Sequence, residues 1–253
     1  MNPLNPLQEC RSYVKAQFVA RPTERHRESP PPPPLSVTLS RQAGARGHSI
    51  STSLVEELRR HQSPDQPPWT LFDRELVRQI LDDHHLPHEL AKFMPDDRVG
   101  ELEAAINEIL GRHPSSWTLF EYTVDTIVRL ARLGHCIIVG RGAGVVTRSF
   151  PNTLHVRLIG SLEQRIRHMI QAHDMTERQA AAYIKSEDAA RQKFLKQHFG
   201  KDINDPHLYD LILNTDFLED RAAIQIIQAA IRSREPQPAP KPLPAHLASA
   251  SRG

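Results

Sequence analysis

The chain has 253 residues, 39% of them hydrophobic, with 32 basic and 30 acidic side chains and a formal charge of +2. That length suits one large domain or two small ones, the near balance of charge argues against a general nucleic-acid-binding surface, and no apolar run approaches the ~20 residues of a membrane helix. Cys10 and Cys136 are too few and too far apart for a disulfide framework or a metal cluster, and with no leader-like N-terminus the expectation is a cytoplasmic protein without a membrane or nucleic-acid partner.

Residues 1–34 contain the proline run 30–34, and residues 235–253 are rich in Pro, Ala and Ser, so neither tail is composed to bury a core. A short apolar pattern at Leu7, Tyr13, Val14 and Phe18 predicts one helix in the N-terminal tail. The core is expected over 35–234. It opens with Leu35-Ser36-Val37-Thr38-Leu39, a buried strand, which leads through a loop over 40–49 into a helix carrying Ile50, Leu54, Val55 and Leu58 on one face.

A second strand is predicted over 69–72, followed by a helix through Leu76, Val77, Ile80 and Leu81. Residues 86–133 are mostly helical by periodicity, broken at Pro114, and form an insert longer than a crossover requires. It suits either a homodimer face or a cap over a ligand. Strands follow at 136–139 and 154–159, each ending where a glycine opens a turn. Ser161 and Thr176 then cap two helices, each with a glutamine three residues on. Tyr209 to Leu213 is the last strand, and 222–231 the closing helix. Strands separated by helices imply an α/β, three-layer fold with a mainly parallel sheet, whose ligands bind beyond the carboxyl ends of the strands.

The loop Ser40-Arg41-Gln42-Ala43-Gly44-Ala45-Arg46-Gly47-His48-Ser49 occupies that position, where backbone N–H groups and a helix N-terminus can surround phosphate oxygens. Taken by itself the loop fits an ordinary strand–turn–helix connection equally well, because no Lys-Ser or Lys-Thr pair follows a glycine and no lysine occurs between Lys15 and Lys92. Arg141, between Gly140 and Gly142, suits a guanidinium projected from a tight turn onto a phosphate or a base edge.

Four segments read in order carry a resemblance: Val37-Thr38-Leu39-Ser40-Arg41-Gln42 with its glycines, Phe72-Asp73-Arg74-Glu75-Leu76, Val139-Gly140-Arg141-Gly142-Ala143, and Gly200-Lys201-Asp202 before Tyr209-Asp210-Leu211-Ile212-Leu213-Asn214-Thr215. Together they resemble the cytidylate kinase-like family, among the P-loop nucleoside monophosphate kinases. The resemblance implies a P-loop kinase-like fold with a helical insert, an arginine-bearing lid over 174–205, and ATP and Mg2+ as cofactors. It places Ser40, Gln42, Gly44, Arg46, Gly47, His48 and Ser49 in the phosphate loop, with the Ser49 hydroxyl on magnesium. Gly47 stands where the usual lysine would, so Arg41 or Arg46 would supply the positive charge. Asp73 and Arg74 fall in the acceptor-nucleotide pocket, although Asp73 would serve equally as a helix N-cap. Asp188 and Arg191 match lid positions, and Arg141, Arg165 and Arg191 are expected to neutralise the transferring phosphoryl group.

Other features read more plainly. Arg167 and Lys193 are surface charges, and Asp188 and Arg191 can pair at i,i+3. His84, His85 and His88 form a solvated helix end, and Trp69 and Trp117 anchor packing. Two function classes follow: a kinase transferring phosphoryl from ATP to a nucleoside monophosphate such as CMP or a related small acceptor, or a nucleotide sensor that binds without turnover.

Overall fold

The computed structural model describes residues 33–73 and 116–234. The N-terminal helical pattern, Arg74, the three clustered histidines and most of the helical insert lie outside the described residues, as do both tails beyond them.

Five strands form one parallel sheet: β1 (Ser36–Arg41), β2 (Thr70–Phe72), β3 (Cys136–Val139), β4 (Thr153–Ile159) and β5 (Leu211–Asn214), in the order β2-β3-β1-β4-β5. The helices are α1 (Gly47–Arg60), α2 (Ser116–Leu133), α3 (Ala143–Val146), α4 (Leu162–His173), α5 (Glu177–Phe199) and α6 (Asp220–Arg234). All pairings are parallel, so the carboxyl ends of the strands share one edge. This is the three-layer α/β architecture that the alternation of strands and helices implies.

Side chains alternate across a strand, which gives the two sheet faces different chemistry. Val37, Leu39, Leu154, Val156 and Leu158 face α1 and α6, where Ile50, Leu54, Ile224 and Ile227 complete the main core. The opposite face is polar at its centre. Register places Ser36 beside Thr153, Thr38 beside His155 and Ser40 beside Arg157, and each pair shares a side-chain hydrogen bond of 2.8 Å. A buried polar group is stable only when it is hydrogen-bonded, and these three rungs supply that satisfaction within the sheet.

Helix boundaries follow their caps. Ser161 accepts from the amide of Gln164 ahead of α4, and Thr176 forms a full capping box with Gln179 ahead of α5. Helix α5 ends at Gly200, whose φ of +66° is the usual left-handed terminus. Two differences from the sequence reading stand out. Residues 206–208 form a single 3-10 turn capped by Asp205, so the last strand begins at Leu211 rather than Tyr209. The glycine-rich turn after β3 runs into the short helix α3, because Gly140, Arg141 and Gly142 all take positive φ and redirect the chain.

Candidate functional site

The loop joining β1 to α1 is fixed at its base by Gln42. Its amide donates to the Leu158 carbonyl at 3.0 Å, and its side-chain oxygen accepts from the Gly160 amide at 2.9 Å. Gly44 has φ of +78° and lies so close to α4 that an added Cβ would stand 2.8 Å from the Arg165 carbonyl oxygen. Arg46, at φ of +58°, then turns the chain into the helix. The amide of Ala43 donates to Asp188 Oδ1 at 2.8 Å. The amides of Gly44, Arg46, Gly47, His48 and Ser49 find no acceptor among the described residues. Such donors at and just before a helix N-terminus are arranged as an oxyanion would need them, since the helix dipole adds to their partial charges.

Space that a residue-47 side chain would need is filled by Arg41: a Cβ on Gly47 would lie 2.8 Å from Arg41 Cγ and 3.1 Å from its Cβ. The missing lysine and the arginine six residues earlier are therefore one steric feature. Arg46, the other candidate, points elsewhere. Its guanidinium donates to the carbonyls of Thr215 and Leu218 and pairs with Asp220 at 2.7 Å, tying the loop to α6. The Ser49 hydroxyl donates to the Arg46 carbonyl at 3.0 Å, which leaves its lone pairs available.

Arg165 is buried to 8% exposure and braces the loop from α4. It donates to the carbonyls of Gly160 and Ala43 and to Asp188 Oδ2 at 2.5 Å. Asp188 thus bridges the loop amide and Arg165 from the long helix α5. One turn on, Arg191 pairs with Glu187 at 2.8 Å, donates to the Arg41 carbonyl at 3.4 Å, and stands 3.9 Å from Asp188. Arg141 sits at φ of +55° between Gly140 and Gly142, and the Phe199 ring closes against Gly142.

A cleft of about 560 Å3 opens above the loop, and Arg41, Gly44, Gly47, Ser49, Asp73, Arg141 and Arg191 all border it. His48 faces Asp73 at 3.5 Å and is otherwise solvated. The structure therefore gathers Arg41, Gln42, Gly44, Arg46, Gly47, His48 and Ser49 with Asp73, Arg141 and Arg191 at one cleft, ties Ser40 to Arg157 outside it, and sets Arg165 and Asp188 behind the loop as supports. For a magnesium ion, the Ser49 hydroxyl and the Asp73 carboxylate are among the oxygen donors that border the cleft, and hard oxygens of this kind suit the cation alongside water and phosphate oxygens.

Three residues of this region carry no sequence motif. His168 borders the cleft from α4, its pKa lowered by burial and then by Arg46. Arg157, inside β4, is 4% exposed and bonds Ser40, with Tyr209 beneath its guanidinium. His155 is also buried, and burial lowers its pKa to about 4. The only signal for the last two was the polar alternation Thr153, His155, Arg157 in an otherwise apolar strand.

A glycine-bearing loop between the first strand and helix of a parallel sheet, bordered by arginines and overlain by a charged helix, is the arrangement of a nucleotide-binding, kinase-like protein. The cytidylate kinase-like family model matches residues 36–217, and the chain belongs to that family. A cytidylate kinase from Methanothrix thermoacetophila is 29% identical over 125 residues, 49% of this chain and 71% of that protein. A crystal structure of an uncharacterized protein from Eubacterium ventriosum superposes with a TM-score of 0.57 at 16% identity, covering 79% of this chain and 99% of that one. A shikimate kinase from Bacteroides thetaiotaomicron is similar at a TM-score of 0.44 and 16% identity, covering 78% of this chain and 98% of that one.

Proposed function

We propose that the chain transfers the γ-phosphoryl group of ATP, with Mg2+, to a nucleoside monophosphate such as CMP or to a related small acceptor. The observation that carries this reading is the row of five amides over 44 and 46–49 that find no acceptor among the described residues, beside a cleft bordered by Arg41, Arg46, Arg141 and Arg191. Those amides hold the donor phosphates. Arg41, packed over Gly47, provides the cationic charge that a lysine gives in related loops, as a planar fork instead of a point charge. Arg141 and Arg191 offset charge on the group in transit, and Arg165 with Asp188 fixes the loop that positions it.

Ser49 and Asp73 would hold the magnesium, which would supply positive charge to offset that of the phosphates. One P–O bond to the ADP leaving group breaks as one forms to an acceptor phosphate oxygen. Because that acceptor is already anionic, no general base is required.

Incubation of the full chain with Mg2+, ATP and a panel of monophosphates is expected to yield a diphosphate product, and Arg41→Ala to lower its rate by at least 100-fold, about 3 kcal/mol of transition-state stabilisation. Nucleotide binding with no product from any acceptor would replace the enzyme by a sensor.

A further inference from the structure

The edge of the sheet opposite the phosphate cleft carries a groove of its own. Leu35, Trp69, His135 and Asn152, which precede β1, β2, β3 and β4, line it together with the carboxyl ends of α1 and α6. The groove measures about 750 Å3. Its apolar wall, formed by Leu35, Leu58, Trp69 and Ile231, is the end of the main core: Trp69 and Ile231 belong to that core, and Leu35 and Leu58 pack against it half-buried. Apolar side chains left half in water are stabilised by whatever removes the rest of their surface from it. Both ends of the described core meet at this groove, since Pro33 and Pro34 form one side of it and Arg234 another. Residues 1–32 and 235–253 continue the chain from those points.

Composition decides between these two segments. Residues 235–253 offer Leu243 and Leu247 as their large apolar side chains, and prolines at every second position from 236 to 244 disfavour a helix there. The N-terminal segment is different. Leu7, Cys10, Val14 and Phe18 fall within one stripe about 80° wide on a helix that turns ~100° per residue. Asn5, Pro6 and Gln8 supply the start signal and capping pattern for such a helix. We propose that residues 7–18 dock in the groove as an amphipathic helix, with that stripe against Leu35, Leu58 and Ile231, closing the main core at the amino edge of the sheet. The tether permits this. A helix of that length extends about 18 Å, residues 19–29 span roughly 18 Å as a flexible chain, and the proline run 30–34 reaches about 15 Å. Tethering also sets the local concentration of the segment on the order of millimolar, so contacts too weak to hold a free peptide suffice. The phosphate cleft opens at the other edge, so the docked helix leaves nucleotide access unchanged and its docking is independent of the phosphoryl-transfer reading.

The thiol of the segment reports its position. Cys10 lies in the contact stripe, while Cys136, the other cysteine of the chain, is fully buried in β3 and serves as an internal control. Iodoacetamide labelling of the full chain is followed by the mass of each cysteine peptide. Cys10 is expected to react about tenfold faster, or more, in Leu58→Glu and in Phe18→Ser than in wild type, the factor that ~90% docking imposes. Cys136 should stay unlabelled in all three chains, which shows that the sheet remains packed. Phe18→Ser keeps the test alive if Leu58→Glu fails to fold, because Phe18 precedes β1 and belongs to none of the strands. Equal Cys10 rates in wild type and in a folded variant overturn the proposal. Protection that disappears on dilution also overturns it, in favour of the segment of a second copy. Protection lost on removal of residues 235–253 overturns it in favour of the C-terminal tail as an occupant.

Discussion

Gly142 combines a φ of +70° with the Phe199 ring, whose Cε2 would stand 2.4 Å from any Cβ placed there. Gly200 has a similar φ of +66° but nothing within 4 Å. The pair separates backbone strain from steric conflict. Gly200→Ala should cost about 1 kcal/mol from strain alone, whereas Gly142→Ala should cost at least ~3 kcal/mol because the aromatic ring must also move. Urea unfolding of both variants checks this, and equal losses would mean that Phe199 does not restrain the turn. The consequence is functional as well as structural, because Phe199 stacks edge-on with Phe120 at 5.3 Å and Phe120 lies flat against His198 at 4.4 Å. The turn that presents Arg141 is therefore fastened to the end of α5 and to α2 by one aromatic cluster.

Strand β4 brings the buried polar groups together, and His155 makes its pH dependence legible. Burial lowers the His155 pKa to about 4, against the raising influence of Asp210 and the lowering ones of Arg148 and Arg234. For Asp210 burial alone would raise the pKa, but the His155 amide, Arg234, His155 and Arg148 together hold it below its ordinary value. A histidine whose folded pKa lies below its unfolded value of about 6.5 takes up a proton more readily when unfolded. Its contribution is therefore intact above pH 6.5 and is lost as pH falls from 6.5 towards 4, by about 3 kcal/mol in all. Asp210, with a lowered carboxylate pKa, acts only at more acidic pH. Unfolding free energies measured from pH 7.5 to 4 should flatten by that amount in His155→Gln relative to wild type, and parallel curves would show that His155 is not held neutral.

The same strand marks the limit of what local pattern reveals. Its apolar residues alternate well enough for the strand, its parallel neighbours and its core face to be read directly, and the Ser161 and Thr176 caps locate α4 and α5 to within a residue. The loop 40–49 was legible by position, since a strand, two glycines and a helix leave few other geometries. What joins that loop to the rest was not legible. The Ala43 amide meets Asp188 across 145 residues, and Thr38 and Ser40 meet His155 and Arg157 across 117. Register sets such contacts, and a single sequence does not encode register in any local period. Arg46 shows the same limit, because its spacing suits a phosphate ligand while the start of α6 claims its guanidinium.

For the whole molecule, the parallel sheet directs the loops after β1, β2 and β3 to one edge, so the cleft gathers cationic charge from segments otherwise far apart in the chain. Arg41, Arg141 and Arg191 repel one another across it, and the Asp188 and Glu187 carboxylates on α5 offset part of that repulsion from within. A polyphosphate replaces a strained balance with direct pairing, so its binding free energy belongs to the folded state and must appear as added stability. At a concentration 100 times its dissociation constant, a ligand that binds only the folded chain adds about 2.7 kcal/mol. For a domain of this size that corresponds to a rise in Tm of about 5–10 °C. Mg2+-ATP and ADP should each produce a rise of this order, and adenosine a far smaller one, because the amides and arginines of the cleft address phosphate oxygens and not the nucleoside. Raising the salt concentration should shrink the ATP effect by screening the more exposed charges. A thermal melt in which adenosine matches ATP, or in which no nucleotide raises Tm, would remove the loop over 40–49 as the anion seat and with it the kinase reading.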